Sequence, residues 1–329
     1  MGDPLTFTGM RKAALLYNAR SGGRRSRRDS DLQAAVTILA SAGVEASLTL
    51  TQSSVDATEQ ARKAIADGCD AVFACGGDGT VHDVVQAIAG TGVALGVIPM
   101  GTANALAHDL GLPLDPARAA RAALDAEPRR VALGRLQLRA LDGKLATRFF
   151  TVAVGVGVDA HLFYKLHSGI KQRMGMAAYY AKAWQLWFSH RMERFAVQLG
   201  DGQTAPRKRA TATEMLAVRI RNFGGLLQEL APGASLDRDD LRLVLCSTDS
   251  RLSYLLYVTR SLLGVSWKIP GVELFYSKEV RCDYATDEAS PPDTNLRVYV
   301  QADGELAGTL PAEITMVPDA LTLLSPRRR

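Results

Sequence analysis

The sequence has few of the residues that build metal clusters, disulfide frameworks or membrane spans. Its 329 residues include four cysteines, with no CxxC spacing. This argues against zinc and disulfides and fits a reducing cytoplasm. The longest apolar stretch, 252–275, is interrupted by Arg260, Lys268 and Pro270, so no transmembrane helix is predicted. The first 15 residues lack the charged-then-apolar order of a signal peptide, so none is expected.

Aromatic residues are also scarce, at 6% of the chain. None is interleaved with the three basic clusters, RSGGRRSRR (20–28), PRKR (206–209) and PRRR (326–329). Without aromatics or a recognisable module to read bases, no nucleic acid is expected as a partner. The clusters favour the anionic surface of a membrane, and solvated loops are the alternative reading.

Strand-like and helix-like segments alternate over residues 10–130. Apolar runs that resemble buried strands each precede a helical pattern, and they lie at 12–17, 44–50, 69–75 and 93–99. One such helix is expected to begin near Val81. This alternation predicts an α/β domain with a parallel sheet. Ligands of such sheets bind at the carboxyl ends of the strands, where this chain has the loops NARSGG, TQSS, GGDGT and MGTAN.

The pattern changes near residue 130. Seven strand-like runs, several with period-two alternation, predict an antiparallel β-rich domain over 131–314. Two helices are expected within it, at about 174–192 and 252–264.

The GGDGT loop (76–80) combines backbone that can approach phosphate closely with an acidic side chain, Asp78. Glycines and a following helix N-terminus suit a phosphate, whereas Asp78 would repel it. The repulsion disappears if Asp78 binds a divalent cation carried by the nucleotide, or if it takes part in proton transfer. The alternatives are a tight turn with a capping Asp78, and helix capping by Thr102 or Asn104 in MGTAN.

Together, YNARSGG, Thr51, GGDGTVHDVV, VIPMGTANALAHDLGLP and the late VQADGEL resemble the diacylglycerol kinase catalytic family, which includes bacterial lipid kinases and the sphingosine and ceramide kinases. The resemblance spans nearly the whole chain. It implies an ATP-dependent, Mg²⁺-requiring lipid kinase with a nucleotide-binding α/β domain and a β-sandwich-like substrate domain. A last strand at about 315–326 is then expected to return to the first domain.

The resemblance also assigns roles to residues. Glu305 is implied as proton acceptor for the lipid hydroxyl, with Asp303 and Asp78 assisting. The residues implied to bind the nucleotide lie in the strand-end loops and are Asn18, Ser21, Gly22, Thr51, Gly76, Gly77, Asp78, Gly79, Thr80, Asp83, Gly101, Thr102 and Asn104.

The sequence departs from the family pattern at two places. Asp83 stands where the family often has Glu. The segment SLDRDDL (235–241) replaces an Asp-Gly pair near a bound Mg²⁺; Asp237 and Asp240 remain candidate metal ligands, and an acidic surface turn is the alternative.

The implied partner is a lipid at the inner face of the cytoplasmic membrane, reached peripherally, and a homodimer is left open. We expect the aromatic helix at 174–192 and segment 252–275 to border an acyl-chain cleft. Two other functions remain as alternatives. An NAD kinase-like enzyme is disfavoured because VALGVIPMGTAN stands where such an enzyme is expected to have a stretch containing Asn-Glu. A catalytically silent lipid-binding regulator stays open because SLDRDDL departs from the family pattern.

Overall fold

The computed structural model describes residues 9–18, 25–158, 160, 192–200, 208–224, 229–263, 268–285 and 297–326. The chain divides into two units. One comprises Met1–Leu133, Asn222–Leu226 and Val317–Arg329, and the other comprises Gly134–Arg221 and Leu227–Met316. The predicted helix at 174–192 lies outside the described residues except for its last position.

The first unit alternates strands and helices. In chain order they are β1 (Lys12–Asn18), α1 (Arg25–Ser41), β2 (Glu45–Thr51), α2 (Ser54–Ala66), β3 (Ala71–Gly76), α3 (Asp78–Ile88), β4 (Ala94–Pro99), α4 (Ala105–Asp109) and α5 (Pro116–Leu124).

The sheet of the first unit is parallel. Pairing joins β1 to β2, β1 to β3 and β3 to β4. Every residue of β3 and β4 is buried, as expected of strands covered by helices on both faces. The core of this unit includes Leu15, Leu32 and Phe73.

The second unit is built mainly from antiparallel strands. Its elements are β5 (Glu127–Arg139, which begins in the first unit), β6 (Leu145–Phe150), β7 (Ala153–Gly157), β8 (Phe195–Gly200), β9 (Lys208–Ala212), β10 (Glu214–Val218), β11 (Leu241–Cys246), α6 (Arg251–Leu263), β12 (Val272–Ser277), β13 (Glu279–Tyr284), β14 (Tyr299–Ala302) and β15 (Glu305–Ser325).

Two runs of strands within the second unit share the first part of β15. One run has the order β12-β11-β10-β7-β14-β15, and the other joins β9, β8 and β13 to β15. Alternate residues of these strands, together with residues of β5 and β6, form one apolar core that includes Phe150, Phe195 and Ile314. The α/β unit with parallel strands and the antiparallel β-rich unit confirm the predicted fold class.

The last part of β15 belongs to the first unit. Thr322 and Leu323 pair in parallel with Ala94 and Leu95 of β4. The order of the parallel sheet is therefore β15-β4-β3-β1-β2.

Several elements differ from the sequence-based expectation. Helix α3 begins at Asp78, not near Val81, because Gly77 occupies the N-cap and the next residues already form the first helical turn. Helix α5 was not predicted, although Asp115 caps it by accepting from the Arg118 N–H at 2.9 Å and Pro116 follows. Strands β9 and β12 were also not predicted.

No helix in the described part of the chain is long and apolar enough to span a bilayer.

Candidate functional site

The GGDGT sequence forms the end of β3 and the first turn of α3. Gly77 has an extended conformation, and its carbonyl accepts hydrogen bonds from the N–H groups of Thr80 (3.0 Å) and Val81 (3.2 Å). The first N–H groups of a helix point outward along its axis and carry partial positive charge. This turn is therefore suited to bind phosphate.

The GGDGT and MGTAN segments are interlocked through their backbones. Met100 N–H donates to Gly76 O at 2.9 Å. A Cβ atom on Gly101 would lie 2.4 Å from the Cα of Gly77, so a side chain there would collide with backbone. A Cβ on Gly76 would lie 2.2 Å from the Thr80 hydroxyl oxygen. Glycine at 101 is thus required for the two segments to meet, whereas glycine at 76 leaves room for the Thr80 side chain within the same turn.

Asp78 ties the two segments together. Its Oδ1 accepts a hydrogen bond from the Ala105 N–H at 2.7 Å, at the start of α4. Asn104 occupies the N-cap position with φ of 50°, but its side chain makes no capping bond. Instead, Asn104 accepts from Gly101 N–H (2.9 Å) and donates to Gly101 O (3.0 Å). The cap of α4 is therefore supplied by Asp78, and Thr102 lies exposed in the loop that Asn104 closes.

The other residues of the first unit that the sequence singles out are placed as follows. Asn18 and Thr51 are neighbours in register at the ends of β1 and β2. Thr51 is buried, and its hydroxyl donates to Tyr17 O at 3.1 Å, which joins the two strand ends. Ser21 and Gly22 lie outside the described residues.

Asp83 lies on α3 and faces α2. Its carboxylate accepts a short hydrogen bond from the Ser54 hydroxyl, and its carbonyl accepts from the Thr58 hydroxyl at 3.1 Å. Asp83, with its shorter side chain, therefore links α3 to α2 through hydrogen bonds.

The Asp-Gly-Glu segment is the turn between β14 and β15, in the second unit. Asp303 is buried and has φ of 49°. Its Oδ1 accepts from the N–H groups of Val152 (2.8 Å) and Ala153 (3.0 Å). Its Oδ2 accepts from Thr151 N–H at 3.0 Å. These bonds fix the backbone of the turn, and the half-buried Glu305 follows Asp303 by two residues.

The SLDRDDL turn does not fit a resident divalent metal. Arg238 binds both carboxylate oxygens of Asp240, at 2.6 Å each. Asp237 is exposed, and the described residues contain no group of three or more His, Cys, Asp or Glu that could hold a metal ion.

Arg219, which sequence reasoning did not single out, is buried beneath the same turn. Its guanidinium donates to the carbonyls of Arg238 (2.6 Å), Asp240 (2.8 Å) and Leu236 (3.3 Å). A cationic side chain thus satisfies the carbonyls of the turn. The period-two pattern of EMLAVRIRNF points to a strand and carries no sign of a buried arginine.

Asn222–Gly224 were also missed. Asn222 N–H donates to the Asp109 carboxylate at 2.9 Å. A Cβ on Gly224, where φ is 77°, would lie 2.2 Å from the His108 ring. This segment therefore packs closely on the end of α4, and the adjacent glycines of NFGG were the available signal.

Cys75 lies on β3 directly before the glycines. Burial raises the pKa of its thiol well above the usual range. The thiol therefore stays protonated and does not serve as a nucleophile.

Comparison with known proteins finds two matching family domains. The diacylglycerol kinase catalytic domain matches residues 12–136, and the YegS C-terminal NAD kinase beta sandwich-like domain matches residues 152–325. A diacylglycerol kinase of Bacillus subtilis (strain 168) is 27% identical over 323 residues, covering 97% of this chain and 98% of the relative. One from Mycobacterium tuberculosis (strain CDC 1551 / Oshkosh) is 31% identical over 273 residues, covering 83% and 82%.

Two solved structures have a similar fold. The crystal structure of a diacylglycerol kinase from Bacillus anthracis str. Sterne has a TM-score of 0.67 at 18% identity, covering 97% of this chain and 98% of that one. Yeast NADH kinase complexed with NADH has a TM-score of 0.52 at 11% identity, covering 98% and 85%. The fold is thus of the class seen in both diacylglycerol kinase and NADH kinase structures. Within that class, the chain belongs to the diacylglycerol kinase catalytic-domain family, and it is a kinase.

Proposed function

We propose that this kinase transfers the terminal phosphoryl group of ATP to the hydroxyl of a diacylglycerol-like or sphingoid lipid at a membrane surface. The observation that carries the proposal is the backbone interlock of GGDGT and MGTAN at the carboxyl ends of β3 and β4, in a chain of this family. It supports a nucleotide site because ligands bind at this edge of a parallel sheet.

In this proposal the first unit binds the nucleotide. The N–H groups at the start of α3 donate to phosphate oxygens, and Asn18 and Thr102 add polar contacts. Mg²⁺ arrives with the nucleotide as Mg-ATP and offsets phosphate charge. Asp78 holds α4 and α3 in register through Ala105, and the arriving cation offsets its negative charge.

The second unit supplies the proton acceptor. Glu305 accepts the proton of the lipid hydroxyl while the hydroxyl oxygen bonds to the γ-phosphorus and the bond from that phosphorus to the bridging oxygen breaks. The products are a lipid phosphomonoester and ADP. Asp303 fixes the turn that carries Glu305 through its bonds to Thr151–Ala153.

The test is incubation with γ-labelled ATP and, separately, diacylglycerol, a sphingoid base and NAD. Labelled lipid is expected. Label in NAD would favour an NAD kinase-like enzyme, and no product with any acceptor would favour a silent regulator. Asp78→Asn serves as the control, since its amide oxygen can still accept from Ala105; we expect it to fold normally and to lose at least about 100-fold in turnover.

A further inference from the structure

The hairpin between β5 and β6 ends in a tip with two exposed leucines. Leu141, in the turn, is 52% exposed, and Leu145, at the start of β6, is 84% exposed. Among the described residues, no other large apolar side chain is as exposed as Leu145. Isolated surface leucines are common, whereas two within five residues of one exposed turn form a local apolar tip.

The backbone of the tip is ordered by its own hydrogen bonds. Ala140 N–H donates to Lys144 O at 2.8 Å, and Gly143 N–H donates to Ala140 O at 2.9 Å. Gly143 adopts φ of 85°, which suits glycine. At the base of the tip, a Cβ on Gly308 of β15 would lie 2.2 Å from Arg139 O. The leucines are therefore held outward by a closed turn on a packed base.

The charges around the tip are mainly positive. Arg139, Lys144 and Arg148 are all exposed, and Arg139 is the cross-strand partner of Leu145, which places the two side chains on one face. The acid in this segment, Asp142, lies 3.7 Å from the Lys144 ammonium.

An apolar tip with basic neighbours matches the charge and polarity profile of an anionic bilayer. Leucines can pass the headgroup level while lysine and arginine contact lipid phosphates. A protein partner fits less well, because a stable protein interface buries roughly 1,200 Å² or more, far more than two leucines provide.

We propose that residues 139–148, here called the β5–β6 tip, dock the protein on an anionic lipid surface. Leu141 and Leu145 insert, and Arg139, Lys144 and Arg148 contact phosphates. The purpose of this docking, delivery of a lipid substrate, rests on the proposed function, but the binding itself is measurable without catalysis.

The test is co-sedimentation with phosphatidylcholine vesicles that contain phosphatidylglycerol. The double variant Leu141→Ser with Leu145→Ser should bind these vesicles roughly tenfold or more weakly than the wild type, with an unchanged melting temperature because both side chains are exposed. Val55→Ser is the matched control: Val55 is 69% exposed in the first unit, next to Asp56, and its loss should leave binding unchanged.

A charge variant tests the electrostatic part. Lys144→Gln with Arg148→Gln should weaken binding at low salt and reduce its salt dependence, because exposed charges act over about a Debye length. The proposal is overturned if the leucine variant binds the vesicles as tightly as the wild type does, or if the wild type does not bind anionic vesicles. A leucine variant that changes from dimer to monomer but still binds vesicles would show that the tip contacts a second copy of the chain. This result would also overturn the proposal.

Catalysis separates this proposal from the proposed function. The leucine variant should phosphorylate dispersed dioctanoylglycerol at the wild-type rate and lose activity on long-chain diacylglycerol in vesicles. Equal loss on both would place the tip in the substrate site and refute docking. If the protein phosphorylates no lipid but its vesicle binding still depends on the leucines, the docking proposal stands and the proposed function is rejected.

Discussion

Asp303→Asn should destabilise the second unit because an amide cannot replace this carboxylate. Both oxygens of Asp303 accept backbone N–H groups, two on Oδ1 and one on Oδ2. If the asparagine oxygen keeps the bonds to Val152 and Ala153, its NH₂ group faces the Thr151 N–H. Both groups are donors, so the bond to Thr151 is lost. The opposite orientation loses two bonds. Asparagine tolerates the left-handed conformation at this position, so the substitution isolates the hydrogen bonding.

The size of the effect follows from that count. A buried donor left without its acceptor costs about 1–3 kcal/mol, and the loss of charge from the remaining bonds adds to this. For a unit of this size, each kcal/mol lowers the melting temperature by roughly 2–4 °C. A loss of several degrees is therefore expected.

Thermal melting and turnover, measured on the same preparations, separate this role from chemistry. Glu305→Gln is the matched variant in the same turn. It should change stability by less than about 0.5 kcal/mol and lower turnover by about 100-fold or more, with nucleotide affinity little changed. Asp303→Asn should lose stability and activity together.

The positioning role would be refuted by an Asp303→Asn protein that melts like the wild type yet has no activity. Asp303 would then have to act on the substrate directly. A Glu305→Gln protein as unstable as Asp303→Asn would make Glu305 part of the turn and remove it as proton acceptor.

Three further predictions follow from buried or bridging groups. Asp78→Ala should melt below Asp78→Asn, since only asparagine keeps an acceptor for Ala105 N–H; equal melting would contradict the bridge between the two segments. Arg219→Met should cost roughly 3 kcal/mol or more in urea unfolding, because three carbonyls lose their donor, whereas EDTA should leave the wild-type melting temperature unchanged; a drop with EDTA would indicate a structural metal instead. All four cysteines are buried, and burial raises the thiol pKa of Cys75 and Cys282. A thiol reagent should therefore react with none of the four before unfolding and with all four afterwards; rapid reaction of the native protein would refute their burial.

The parallel sheet could be predicted because its signals are local. Buried strands such as β3 and β4 are continuous apolar runs, and their order along the chain fixes where the loops fall. The start of α3 was misplaced because glycines at Gly77 and Gly79 conceal a helix that begins with Asp78. A Gly-rich sequence indicates a loop, and only the fold shows that its first turn is helical.

The roles of Asp303 and Arg219 could not be predicted, because their partners are distant in sequence or irregular in structure. Asp303 binds backbone about 150 residues away, in a stretch with no acidic or basic signal. The acceptors of Arg219 are carbonyls, which every residue possesses. Backbone groups carry no sequence signature, so a side chain that satisfies them is recognised only in the folded chain.

The passage of β15 from the second unit into the first has a consequence for biosynthesis. The part of β15 that pairs with β4 is synthesised long after β4 itself, so strands β1 to β4 are complete well before this neighbour exists. During translation β4 presents an open apolar edge, and such edges recruit other chains. A fragment that stops near residue 136 should therefore aggregate, and we expect that the first unit cannot be expressed or exchanged as an autonomous module by cutting the gene once.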